Sequence, residues 1–251
     1  MRENNEDRYL VREGRSATLL AVADGVGGEA GGEMASAAAI DALAAGFFNA
    51  SPGRSPADAL AVAIRGANAA VLGAAGDSGQ QGAASTLVAA AIDGSSAFIG
   101  NLGDSRAYLL RDGEIRMVTA DHSGDQQSSI TRFVGDPRGV QPDVFVETLR
   151  PGDRLLLCSD GLTRHVPDAD IASTVQSKDL DSAASALVDL AKSRGGEDNI
   201  TVVLYAARRT FGLAEVRRDI VNLILAMLVA IVVVGAIAAL IFASGAYPTA
   251  R

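Results

Sequence analysis

The chain has no tryptophan, and aromatic residues make up only 4% of it. Without large rings the interior must be filled by alanine, valine and leucine, and an apolar content of 48% allows a sizeable core. Basic residues are scarce: 22 Lys and Arg stand against 30 Asp and Glu, a net charge of −8. Such a balance argues against nucleic acid as a partner, because binding it demands a basic face. The single cysteine, Cys158, has no internal disulfide partner, which fits a reducing compartment. With two histidines and one cysteine, a zinc site of the usual His/Cys type is not expected. The opening stretch MRENNEDRYLVRE is charged throughout and carries no apolar leader segment.

What is abundant is concentrated in two places. The first is IVNLILAMLVAIVVVGAIAALIFA, residues 220–243, with 24 residues and no charge. As a helix it would be about 36 Å long, against a bilayer hydrocarbon core of about 30 Å, so a membrane-spanning helix is expected. Arg208, Arg209, Arg217 and Arg218 precede it, and Arg251 alone follows. Positive charge stays inside, so residues 1–219 are expected to be cytoplasmic and the tail 244–251 external, a single-pass protein of the cell membrane. Residues 208–219 carry +2 and residues 220–251 carry +1, which leaves −11 on residues 1–207. The basic linker 208–219 would either touch anionic lipid headgroups or serve only as a stop signal.

The second concentration is of short apolar runs bounded by Gly, Asp and Pro. Strands are predicted at 16–23, 84–92, 96–103, 106–111, 114–119, 143–150, 154–159 and 199–207. Helices are predicted at 29–48 and from 56 to 75, the latter with Ser55 as N-cap and Pro56 at its first position. Two more follow in VPDADIASTVQ and DSAASALVDLAKSRGG, the second ended by Gly195. The segment 121–129 is polar and reads as a loop. Strands cluster in hairpins and helices come in pairs, so the order points to antiparallel sheets covered by helices rather than to regular βαβ alternation.

The acids fall at the ends of these strands. Asp24 closes 16–23 in DGVGGEAGGE, Asp104 sits in the turn GDSR, Asp160 closes 154–159 as SDG, and Asp198 precedes the last strand as EDN. Asp7 stands near the start in RENNED. Aspartate is common in turns and caps, but five such positions can meet at one rim of a sheet assembly. Converging carboxylates repel one another unless a cation neutralises them, and an all-oxygen set suits Mg2+ or Mn2+. Two such ions sharing a carboxylate can clamp a phosphate and acidify the water between them. A positive side chain for the phosphate oxygens is then expected, and Arg2 is the nearest in sequence to Asp7.

The motifs RENNED, DGVGG, GDSRAYL, DHS, LLLCSDGL and GGEDNITVV occur in the order found in the metal-dependent type 2C (PPM) serine/threonine protein phosphatases, bacterial type, which residues 2–205 resemble. The resemblance implies an α+β fold: a four-layer αββα sandwich of two mainly antiparallel sheets flanked by helix pairs. It implies that Asp24 bridges two Mn2+ or Mg2+ ions and that the Gly25 carbonyl ligates one of them. Asp160 and Asp198 would hold the other. Asp7, with Glu6 beside it, would order bound water, Arg2 would bind the substrate phosphate, and Asp104 would serve a third, weaker ion. Asn199 would shape the start of the last strand. A hydroxide between the ions would attack the phosphorus of phosphoserine or phosphothreonine in line. Phosphorylated proteins are the implied substrates, and the membrane run points to a membrane Ser/Thr kinase or its targets.

Three departures stand out. The family has a strand leading into the arginine, whereas here Met1 directly precedes Arg2, so the sheet is one strand short or the true start lies upstream. The flap after His122 is reduced to a few residues before Ile130. Val26 stands where eukaryotic members carry a histidine proposed as a general acid, and His122 and His165 read as structural or surface histidines. The alternative to catalysis is a pseudophosphatase, a phosphoprotein-binding regulator of a membrane kinase; the retained acids weigh against it.

Overall fold

Leu19, Ala21 and Ala23 leave their strand on one side, Leu20 and Val22 on the other, and all five are almost wholly buried. A strand covered on both faces must lie between two layers. The computed structural model describes residues 4–207 except 28, 52 and 125–129. Arg2, the linker 208–219, the apolar run 220–243 and the tail 244–251 lie outside the described residues.

The elements in chain order are β1 (Asp7–Glu13), β2 (Thr18–Val26), α1 (Glu29–Phe48), α2 (Pro56–Ser78), β3 (Ala84–Ser85), β4 (Leu87–Asp93), β5 (Ser96–Leu102) and β6 (Arg106–Arg111). They continue with β7 (Glu114–Met117), β8 (Asp143–Thr148), β9 (Arg154–Cys158), α3 (Asp160–Thr163), α4 (Asp168–Ser177), α5 (Leu180–Ser193) and β10 (Val202–Ala206). One sheet runs β1-β2-β4-β5-β8, with β3 paired to β2, and the other runs β10-β9-β6-β7. The pairings are antiparallel.

Alternation along the strands sorts the apolar residues into three cores. Leu19, Ala21, Leu87, Ala89 and Ala91 pack against Leu43, Leu60, Ile64 and Val71 of α1 and α2. Leu20, Val22, Val88 and Ile99 meet Leu109, Leu155 and Leu157 between the sheets. Tyr108, Leu156 and Cys158 pack under Leu162, Ile171, Val175 and Leu187 of α3, α4 and α5. The result is two antiparallel sheets with helices outside both. Cys158 lies in this third core, where burial pushes its thiol up to about 12, so it stays protonated.

Ser55 caps α2 as expected, accepting from the Asp58 N–H, and the helix runs past residue 75 to end at Gly79, φ 72°. Among the described residues, α2 is the one helix long and apolar enough to cross a membrane, but Leu60, Ile64, Ala67 and Val71 on it are fully buried in the protein core. α1 approaches α2 closely because Gly46 has no side chain: a Cβ there would lie 3.2 Å from the Ala63 Cα. β1 is the strand that sequence patterning passes over. It is a sheet edge, so Tyr9 and Val11 stay 65% and 58% exposed and no buried alternation marks it.

Candidate metal centre

Asp7 and Asp24 are direct cross-strand partners on β1 and β2, so their carboxylates project from adjacent strands onto the same face. The backbone of Asp24 is fixed from three sides. Its N–H donates to Thr86 Oγ1 at 3.0 Å, and its carbonyl accepts from the Thr86 N–H at 2.8 Å and from Ser85 Oγ at 3.0 Å. The next residue must be glycine. A Cβ on Gly25 would run into the Gly32 carbonyl at the start of α1 and into the Glu6 carbonyl. The Gly25 N–H meanwhile donates to Glu6 O at 3.2 Å. The acidic glycine loop is thus the point where β1, β2 and α1 come closest.

The C-terminal half supplies the other acids. Asp160 opens α3 directly after β9, and Asp198 precedes β10, the neighbour of β9. Gly161 permits the junction, since a Cβ there would collide with the Asn199 carbonyl. Asn199 fastens the two termini of the domain: its Oδ1 accepts from the Glu6 N–H at 2.8 Å, and its Nδ2 donates to Asn4 O at 3.2 Å. Ser159 Oγ donates to Asp7 Oδ2 at 2.8 Å and accepts from the Thr201 N–H at 3.0 Å. Asp104 follows Gly103 (φ 110°) in the turn between β5 and β6.

The charges of the five aspartates act on one another. Asp24 is held well above the usual carboxylate range, first by loss of solvent and then by the charges of Asp7, Asp160, Asp198 and Asp104. Burial and then the charge of Asp104 push Asp160 up to about 6. Asp7 and Asp104 are raised too, in both cases chiefly by burial. One carboxylate oxygen on each of Asp7, Asp104 and Asp160 is buried without a hydrogen-bond partner. Buried acceptors crowded by like charge are what a hard cation would satisfy. Among the described residues, however, no three carboxylate groups enclose an ion by themselves. Mg2+ and Mn2+ sites complete their shells with water and backbone carbonyls, so the buried oxygens need not enclose an ion alone.

The structure brings Asp7, Asp24, Gly25, Asp104, Asp160 and Asp198 to one rim, with Glu6 and Asn199 joining its two sides. Arg2 lies outside the described residues. His122 is structural: its Nδ1 accepts from the Gly103 N–H at 3.1 Å, which leaves Nε2–H to donate to Asp143 at 2.9 Å. It therefore braces the turn that carries Asp104. Sequence reasoning missed Ser159, Thr86 and Arg164. Arg164 caps α3, pairs with Asp160 and lies 3.7 Å from Asp198. Its one signal was its place four residues after Asp160, one helical turn on.

Residues 2–201 match the family described as Protein phosphatase 2C. The chain is 37% identical over 223 residues to the serine/threonine protein phosphatase PstP of Mycobacterium tuberculosis, a match covering 81% of this chain and 42% of that relative. It is 35% identical over 228 residues to the serine/threonine phosphatase stp of Listeria innocua, covering 81% of this chain and 90% of the relative. The chain thus spans less than half of the mycobacterial protein but nearly the whole length matched in the Listeria one. Among solved structures, the catalytic domain of PstP in complex with two manganese ions superposes with a TM-score of 0.72 at 36% identity, over 81% of this chain and 92% of that one. Ordered motifs, two antiparallel sheets and the converging aspartates agree with these matches, and the chain belongs to the protein phosphatase 2C family.

Proposed function

We propose that this protein hydrolyses phosphoserine and phosphothreonine in proteins with Mn2+ or Mg2+. The observation that carries the reading is geometric: Asp7 faces Asp24 across β1 and β2, and Asp7, Asp104 and Asp160 each keep one buried carboxylate oxygen without a hydrogen-bond partner. Asp24 and the Gly25 carbonyl would hold one ion, and Asp160 and Asp198 the second. Asp7, with Glu6 beside it, would orient water at the rim, and Asp104 would serve a third, weaker site. Bound ions would supply the positive charge that clamps the phosphate and activates water for in-line attack. Arg2 would take a phosphate oxygen. Val26 is 45% exposed and has no proton to give, so it does not protonate the leaving alkoxide.

The support for catalysis over mere phosphoprotein binding is that every acid implied by the resemblance is kept. The test is phosphopeptide turnover by the full chain with Mn2+, with and without chelator. Turnover that vanishes with chelator is expected; no turnover in the manganese-loaded chain sinks the reading.

The site of action follows from residues 220–243, whose uncharged length supports a membrane anchor with the phosphatase domain on the cytoplasmic side. Membrane-bound phosphoproteins, a Ser/Thr kinase or its targets, then become the preferred substrates. Deleting residues 208–251 should slow dephosphorylation of a membrane-tethered phosphopeptide and spare a soluble one. Equal effects on both would count against the anchor's role.

A further inference from the structure

Arg164 is the cation closest to the acidic rim for which the structure gives contacts, and the resemblance assigned it no role. It lies one turn after Asp160, at the C-cap of α3, where its N–H donates to the Asp160 carbonyl. Its guanidinium bonds Asp160 Oδ2 through Nη2, while Nη1 stands 3.7 Å from Asp198 Oδ2. Its charge is also felt at Asp104. One side chain therefore faces the two carboxylates that would hold the second ion and touches the field of the third site. Asp160 and Asp198 side chains are only 13% and 18% exposed, whereas Arg164 is 50% exposed. The carboxylates are fixed by the fold; the arginine has an open path back into water.

We propose that Arg164 is a built-in competitor for the second metal position. Its guanidinium offsets the charge of Asp160 and Asp198 and must leave their oxygens before a divalent ion can take them. This inference rests on the metal-dependent reading above. The physical reason is shared ligand atoms. A carboxylate oxygen occupied by a guanidinium hydrogen bond is not available to a cation without breaking that bond. Two positive groups at that distance also repel each other. The residue thus sets how much free metal the protein needs, without being a ligand.

The experiment is calorimetric titration of the full chain with Mn2+, comparing wild type, Arg164→Gln and Arg164→Lys, alongside thermal melts of each without metal. A half-exposed charged pair is worth on the order of 1 kcal/mol, so Arg164→Gln should tighten the second Mn2+ step by roughly fivefold. Arg164→Lys, which keeps the charge and loses the fork, should fall between. The metal-free melting temperature of Arg164→Gln should drop, because Asp160 loses its ion pair and Asp198 a nearby positive charge. A purely structural arginine gives the opposite in the titration: its loss loosens the site and weakens Mn2+ binding. Equal or weaker binding in Arg164→Gln overturns the proposal. If the wild type itself binds no Mn2+, the phosphatase reading fails first and the two failures are told apart. Raising the salt should shrink the gap between wild type and Arg164→Gln, since the competition is electrostatic.

Discussion

Asp153 and Asp7 are each only 3% exposed, yet the fold treats them in opposite ways. Burial pushes Asp153 up, but hydrogen bonds from Arg111 and from the Arg150 N–H, with the charge of Arg111, outweigh it and lower its pKa. Arg111 reaches it at 2.6 Å and the Arg150 N–H at 2.6 Å. Asp7 is raised: burial dominates, the bonds from Thr201 and Ser159 only moderate it, and Asp198 adds repulsion. The same contrast runs through the molecule. Arg132 and Arg138 hold Asp143 and Asp136 low, whereas Asp24, Asp104 and Asp160 stand high. Structural carboxylates get their counter-charge from the chain. The rim acids are instead grouped against one another, and burial with like charge raises them.

The comparison breaks most visibly at Asp24. Asp24→Asn should lower phosphopeptide turnover by at least about a thousandfold, since a carboxylate proposed to hold metal is lost. It should also raise the melting temperature of the metal-free protein, because one repelling charge is gone. Turnover within tenfold of wild type, or a lower metal-free melting temperature, would contradict it. Asp153→Asn has the reverse profile. It strands Arg111 and should cost about 2–4 kcal/mol in urea unfolding while leaving the Mn2+ titration unchanged.

A pH profile tests the same contrast without mutation. Asp160 has a folded value of about 6 against an ordinary 3.8. A raised carboxylate gives stability that is fully present below the ordinary value and is lost as pH rises through the folded one. The metal-free protein should therefore melt at a lower temperature at pH 7 than at pH 5, and saturating Mn2+ should flatten the slope. A metal-free melting temperature that rises across this interval would show that the rim is not what limits stability. The smallest effect belongs to Asp143→Asn. Asp143 is paired with Arg132 but 39% exposed, so water replaces much of the partner. A loss below about 1 kcal/mol is expected in urea unfolding, and a larger one would mean that bracing His122 under the Asp104 turn matters more than the ion pair.

Much of this was legible before folding was considered. Periodicity placed most strands and helix pairs, and turn chemistry placed the start of α2 at Ser55; the cap of α5, where Asp179 accepts from the Ser182 N–H, was not read. Aspartates beside glycine at strand ends marked the rim, because a strand end next to a residue without a side chain is where a carboxylate can be aimed and a backbone can approach. β1 was not legible, since an edge strand with one exposed face carries no alternation. Ser159, Thr86 and the pairing of Arg164 were not legible either. A serine 152 positions from the aspartate it bonds leaves no local pattern.

The amino-acid order alone determined most of the strands and where the acids sit along them, and it pointed to oxygen ligands and hard ions. Tertiary structure decided which oxygens stay bare. Hydrogen bonding and counter-charge are settled by neighbours far away in sequence: Asn199 tying Glu6 to the last loop, Ser159 reaching Asp7, Arg164 resting on Asp160. Local preference sets where a carboxylate is, but its charge state follows from what the fold brings within a few ångströms of it.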